Sequence, residues 1–181
     1  MINAKAKVKE NISIQIKDKE GNLKPLWQEN WFGKILKKEI PYLTGHYTTE
    51  YRVANLIVDA GLAGIASRYN GDGAEAAFTY IAVGTDDTGA ASGQTTLVAE
   101  IGDSGLSRAS ATASRETTTA TNDTAKLSKE FSVSGTKAIK EVGIFNAASA
   151  GTMGSRVVIT TKNVENGDTI TISYTLVIAE A

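Results

Sequence analysis

The sequence predicts a mainly β protein, an antiparallel β-sandwich with one helix and an N-terminal extended arm, and three observations lead there. Ile170, Ile172, Tyr174, Leu176 and Ile178 hold a strict period of two, the spacing of a strand with one face in a core. Turns rich in Gly and Asn, "NAASAGTMG" and "KNVENG", separate short apolar runs through the second half. Only one long stretch keeps helical spacing, so helices are a minor component. A jelly roll is one arrangement that strands of this kind adopt.

With 181 residues, 41% of them hydrophobic and 22% charged, the chain is long enough for one sizeable core with an appendage. It contains no cysteine, which excludes disulfides, thiolate zinc sites and a cysteine nucleophile. The N-terminus "MINAKAKVKENISIQIK" alternates single apolar residues with charges, and no window reaches about 18 apolar residues. Neither a signal peptide nor a membrane span is expected.

A net charge of −1 argues against a nonspecific grip on nucleic acid, but the charges are unevenly placed. Residues 1–40 hold nine Lys against five acidic residues, and the remainder ten basic against fifteen acidic. This divides the chain into a mildly basic arm or hairpin over 1–50, a docking segment, and a mildly acidic sandwich body over 51–181.

In order along the chain, Ile12, Ile14 and Ile16 alternate with polar residues as in a half-buried strand, and "DKEGN" supplies a turn into "LKPLW", which reads as a hairpin. "WQENWFGKILKKEIPYL" then mixes Trp27, Trp31 and Phe32 with Lys34, Lys37 and Lys38, and Pro41 closes any helix before it. Large aromatics on a charged segment anchor either onto the same chain's body or onto a partner. The partner reading makes these six residues the candidate docking site. It also predicts that removing residues 1–40 leaves the sandwich folded.

From Arg52 to Tyr69, Val53, Leu56, Ile57, Ala60, Gly64 and Ile65 recur at helical spacing and predict the helix, which "NGDGAEAA" ends. Phe78–Val83 follows as a strand apolar on both faces. The loop "GTDDTGAASGQTT" leads to "TTLVAEI", a short helical or extended segment that returns Leu97, Val98 and Ile101 to the core. In "SRASATASRETTTATNDTAKLSKEFSVSG", alanines alternate with Ser and Thr around a "TND" turn, predicting two long strands of one hairpin. "AIKEVGIFN", "SRVVITT" and "DTITISYTLVIA" are the three last strands.

No chemistry-bearing pattern emerges. The loop after Gly84 lacks the Lys of a phosphate-binding P-loop, and "GDGAEA" has dinucleotide-fingerprint spacing but follows a helix and precedes a strand, the reverse of what that site needs. Asp72, Asp86, Asp87 and Asp103 do not alternate as calcium-loop ligands do, and Gly beside Asp is ordinary turn composition. His46 is the only histidine and has no companions at metal spacing. The expectation is no catalytic residue, no metal and no cofactor.

The phrases "NLIVDAGLAGIASRYNG", "FTYIAVGTDDTGAASGQTTLVAEI", "KEVGIFNAASAGTMGSRVVI" and "NGDTITISYTLVIA", in that order over roughly residues 55–180, resemble the small virion structural proteins of tailed bacteriophages, a capsid-decoration and tail-fibre-like β-sandwich family. The resemblance implies a noncatalytic protein of the virion, assembled in the bacterial host cytoplasm. Its implied partners are the phage major capsid protein or other virion proteins and further copies of itself, as a trimer. The role expected first is decorating or cementing the capsid. A tail-fibre, baseplate or receptor-binding component, with the loop after Gly84 touching host carbohydrate, is the alternative.

Overall fold

The computed structural model describes residues 6–180; the first five residues of the expected arm lie outside them. Two five-stranded antiparallel sheets pack face to face, as the sequence predicts. The first holds β1 (Ala6–Lys17), β4 (Tyr51–Ala54), β8 (Thr112–Glu116), β9 (Thr124–Ser132) and β12 (Thr169–Glu180), in the order β4-β1-β12-β9-β8. The second holds β5 (Leu56–Ile57), β6 (Tyr80–Gly84), β7 (Ala109–Ser110), β10 (Lys137–Phe145) and β11 (Met153–Val164), in the order β5-β11-β10-β6-β7. A small third sheet pairs β2 (Leu26–Glu29) with β3 (Gly45–Thr48), and the helix α1 (Trp31–Leu36) lies in the connection between them.

The first strand departs most from expectation. Instead of standing in an arm, β1 lies between β4 and β12 and pairs with β12 along its whole length, from Ala6 opposite Glu180 to Lys17 opposite Thr169. Ile12, Ile14 and Ile16 are fully buried beside Ile170 and Ile172, each burial contributing roughly 1.5–3 kcal/mol. The alternation of "ISIQI" is therefore that of an inner sheet strand. Removing residues 1–40 would take a central strand out of the sandwich.

The hairpin expected from β1 into "LKPLW" stops after one bridge, Lys17 to Leu23, and one further bond from Lys24 N–H to the Ile16 carbonyl. Pro25 has no N–H to continue the ladder, and β2 pairs with β3 instead. The expected helix over Arg52–Tyr69 begins late. Its first residues form β4 and β5, with Val53 opposite Ile12, and only Asp59–Asn70 is helical, as α2. Free sheet edges on β1 and β11 compete for this backbone and outweigh its helical periodicity. The helix lies against β11 through Gly61, where a Cβ would stand 1.9 Å from the Gly154 carbonyl oxygen, so no larger residue fits.

In the second half, the Ser/Thr/Ala stretch does form a hairpin, β8 with β9, but its first residues belong to the other sheet. β7 pairs with β6, and the chain crosses between sheets at Ala111, whose N–H reaches the Thr79 carbonyl. The hairpin turn is tied by Asp123, which accepts three backbone N–H groups, from Thr118, Thr119 and Ala120, and these hold its carboxyl down at about 2. "TTLVAEI" is neither helix nor strand but a bent segment with Gly84 bridged to Glu100; Leu97 and Ile101 reach the core as expected, while Val98 stays half exposed.

Candidate functional site

Residues 26–48 form a compact module on the flank of the sandwich. The Asn30 side chain caps α1 by accepting from Gly33 N–H at 3.0 Å, and its amide donates to the Leu43 carbonyl at 2.9 Å, drawing the returning loop onto the helix. Gly33 permits that closure, because a Cβ there would lie 2.1 Å from the Thr44 carbonyl oxygen. Lys37, in the left-handed region at φ 49°, ends the helix by donating its N–H to the Gly33 carbonyl.

The structure separates the six candidate docking residues. Trp27 is only 6% exposed and faces its own chain, edge to face with Tyr47 at 5.2 Å. Its carbonyl accepts from Lys162 Nζ at 2.8 Å, and that ammonium stands 3.7 Å above the Tyr51 ring. Burial brings Lys162 down to about 8, against the opposing pull of Glu29 and Glu39. Trp27 thus fastens the module to the body. Trp31 and Phe32, 68% and 51% exposed, touch each other edge to face at 4.9 Å, while Lys34, Lys37 and Lys38 are exposed at the mouth of a cleft they share with Glu29 and Glu39.

Further apolar groups are exposed on α1 itself (Ile35, Leu36), on the loop after it (Ile40, Leu43 and Tyr42, the last 98% exposed) and on β3 (Tyr47), each at least two-fifths exposed. Sequence reading, intent on the tryptophans, passes over these aliphatic neighbours; "KILKKEIPYLTGHY" carries the signal, since helix and loop are too short to bury so many apolar groups. Between α1 and β11 runs a cleft of about 590 Å³ lined by Trp27, Lys34, Lys38 and Asp87. Its floor is a bulge in β11, where Ile139 faces Lys162 but Glu141 faces Val158.

The Gly-, Thr- and Asp-rich loop after Gly84 has a structural explanation. Two fully buried side chains hold it from below: Glu141 accepts from Ala99 N–H at 2.8 Å and Val98 N–H at 3.2 Å, while Arg156 donates to Glu141 at 2.8 Å and to Gln94 at 3.0 Å. Asp86 caps Thr88 N–H at 2.7 Å, the Thr88 side chain and then this N–H together lower its pKa, and Asp87 pairs with Lys140 at 3.1 Å. The acids of this loop are engaged in holding its own shape. Neither Glu141 nor Arg156 stands out by motif; their signal is a charge set directly against a run of apolar residues, as in "EVGIF" and "RVVI".

A second buried acid, Glu10, lies on β1 on the same face as Ile12. The Tyr174 hydroxyl donates to its Oε1, its Oε2 has no hydrogen-bond partner among the described residues, and burial pushes its carboxyl up to about 7. Continuing the isoleucine alternation one step toward the N-terminus places it in the core. His46 lies on β3, exposed, and among the described residues no three of His, Asp and Glu gather as metal ligands.

No helix among the described residues is long and apolar enough to cross a membrane. No curated protein and no solved structure matches the chain. One family model does, over residues 50–179, a span that takes in β4 to β12, the loop clasped by Glu141 and Arg156 and most of the sandwich. A sandwich whose inner charges serve its own folding is consistent with that family's structural character, and the chain belongs to the family described as Podophage GP4 fiber I protein gp80.

Proposed function

We propose that this protein is a noncatalytic structural component of a phage tail fibre, assembled in the host cytoplasm, and that the outer face of its 26–48 module makes its contacts within the virion. The observation that carries the reading is the exposed run of aromatic, aliphatic and lysine side chains around Trp31, Phe32, Lys34, Lys37 and Lys38, beside a body whose buried Glu141 and Arg156 are occupied with each other and with the loop after Gly84. The family description names a fibre protein, which favours the tail over the capsid surface expected first from the sequence.

Quantitative mass spectrometry of disrupted virions, separated into tails and capsids, tests the assignment, with labelled antibody imaging of whole particles beside it. The protein is expected in the tail fraction with label on the fibres. Label spread over the capsid faces would restore the decoration role and overturn the fibre reading.

A further inference from the structure

We propose that Glu10 is a proton-operated latch across the two sheets: carrying a proton it ties β1 to β11 at one end of the sandwich, and without it that end opens around the β4–β5 crossover while the rest stays folded. The latch lies where the chain passes from one sheet to the other. Asn55, the single residue between β4 and β5, donates its N–H to the Glu10 carbonyl at 3.1 Å, and its side chain donates to Ser155 Oγ at 2.7 Å. Glu10 belongs to the first sheet and Ser155 to the second.

Tyr174 and Ser155 face the Glu10 carboxyl, Leu176 stands opposite it on β12, and Asn55 follows on the crossover; all four are uncharged at neutral pH. The neighbouring charges turn elsewhere. Lys9 alternates to the other face of β1, Arg156, next to Ser155, donates to Glu141, and Arg52 pairs with Glu50. No Lys or Arg forms an ion pair with Glu10 among the described residues. The two protonation states therefore differ in what the free oxygen can do. A proton on the carboxyl supplies a donor toward Ser155 Oγ, whereas the ionised form sits buried with no cation beside it.

The opening stays local because the closure is thin beyond Glu10. The ladder between β1 and β4 ends at Asn11, one residue inward, and the next pair on the Glu10 face, Val8 and Ile178, is 45% and 54% exposed. Water stands one strand step from the carboxyl, and few contacts have to break to admit it.

Amide hydrogen exchange of the full chain from pH 4 to 8 tests the latch, with rates corrected for the intrinsic effect of pH. The Asn55 amide is expected to speed up by on the order of a hundredfold, because the closed end binds the proton more tightly than the open one and is lost as pH rises from 4.5 through 7. At every pH it is expected to outrun Val133, whose N–H bonds the Asp168 carbonyl at the far end of the first sheet, and, unlike Val133, to ignore urea below the unfolding transition. Glu10→Gln, neutral at every pH, is expected to keep Asn55 protected throughout. An Asn55 rate without the rise, a rise that survives Glu10→Gln, or Asn55 and Val133 exchanging together with one urea response would each overturn the proposal. If the variant does not fold, the carboxyl carbon shift of Glu10 in the wild type takes its place, expected to titrate in step with the Asn55 rate; a carboxyl already ionised at pH 5 would overturn the latch.

Discussion

The sandwich and the 26–48 module treat polarity in opposite ways. Inside the sandwich, two charged side chains with no exposure, Glu141 and Arg156, pair with each other and with a loop, and Glu10 sits against Tyr174. On the module, which has Leu26, Trp27, Gly33, Thr44 and Gly45 buried, most of the other aromatic and aliphatic groups face outward. Buried charge in the first region fixes a shape, since an unpaired ion there is costly. Exposed apolar surface in the second does little for the isolated fold and is useful only against another surface. Position relative to the two sheets, and not residue type, decides which side chains serve folding and which remain available for contact.

The sharpest break between the regions comes from the N-terminus. Deleting residues 1–40 removes β1 along with β2 and α1, and is expected to yield no cooperative thermal transition. The point change Ile14→Ala, which touches only the sandwich, is expected to lower stability by about 2–5 kcal/mol in urea unfolding. A deletion that melts at the wild-type temperature would show that β12 and β4 close the sheet without β1. Arg156→Met comes next. It strands the Glu141 carboxylate in the core, with an expected loss of about 3–5 kcal/mol, and faster amide exchange at Val98 and Ala99 would mark the loosened loop. Unchanged exchange at those two amides would show that the ion pair does not hold the loop.

Titration distinguishes the two regions by sign. Glu10, in the sandwich, has a folded pKa of about 7, raised from an ordinary value of 4.5 by burial, and faces Tyr174 and Ser155. Its folded form holds the proton more tightly, so its stabilisation is complete below pH 4.5 and is lost as pH rises to 7. Lys162, which fastens the module, has a folded pKa of about 8 against an ordinary 10.5, lowered by burial, with Glu29 and Glu39 opposing. Its folded form releases the proton early, so its contribution improves as pH rises from 8 to 10.5. Each limb is worth about 3 kcal/mol, because every tenfold change in proton affinity between the folded and unfolded chain is about 1.4 kcal/mol. Their sum has its minimum between pH 7 and 8. Glu10→Gln is expected to flatten the acid limb and raise stability at pH 8, with little change at pH 4; Lys162→Met is expected to flatten the alkaline limb. Urea unfolding across pH decides, and an acid limb unaltered by Glu10→Gln would place that titration elsewhere.

Much of the sandwich is legible because its strands have a single strong signal. The alternation in "TITISYTLVI" and the doubly apolar "FTYIAV" each correspond to an observed strand, β12 and β6. Legibility fails where two local preferences compete. Val53, Leu56 and Ile57 fit a helical stripe, yet β1 and β11 offer hydrogen bonds that only an extended chain can take. It fails again where the outcome is nonlocal: nothing within "NISIQIK" reveals that the partner strand lies more than 150 residues away. The docking candidates show the same limit. Trp27 and Trp31 have similar surroundings in sequence, and what separates them is nonlocal: the first sits on β2 with its ring against Tyr47 and Gly45 of β3 and its backbone carbonyl bonded by Lys162 from the far end of β11.

That pair of tryptophans gives the finest comparison, because the change expected to matter least for folding is predicted to matter most for contact. Replacing Trp31 and Phe32 together by Ala removes rings whose main contact is each other, on a six-residue helix already capped by Asn30. Neither ring fills the core, so no cavity is left, and Ala favours the helix more than either aromatic does. The expected change in stability is within about 0.5 kcal/mol, as for surface substitutions away from special features. Trp27→Ala, by contrast, removes a buried ring and is expected to cost about 3–5 kcal/mol. Thermal unfolding of the two variants beside the wild type separates them. If Trp31 and Phe32 served as a lid on their own sandwich, the double variant would melt early, and the exposed face would be part of the fold instead of a surface for another chain.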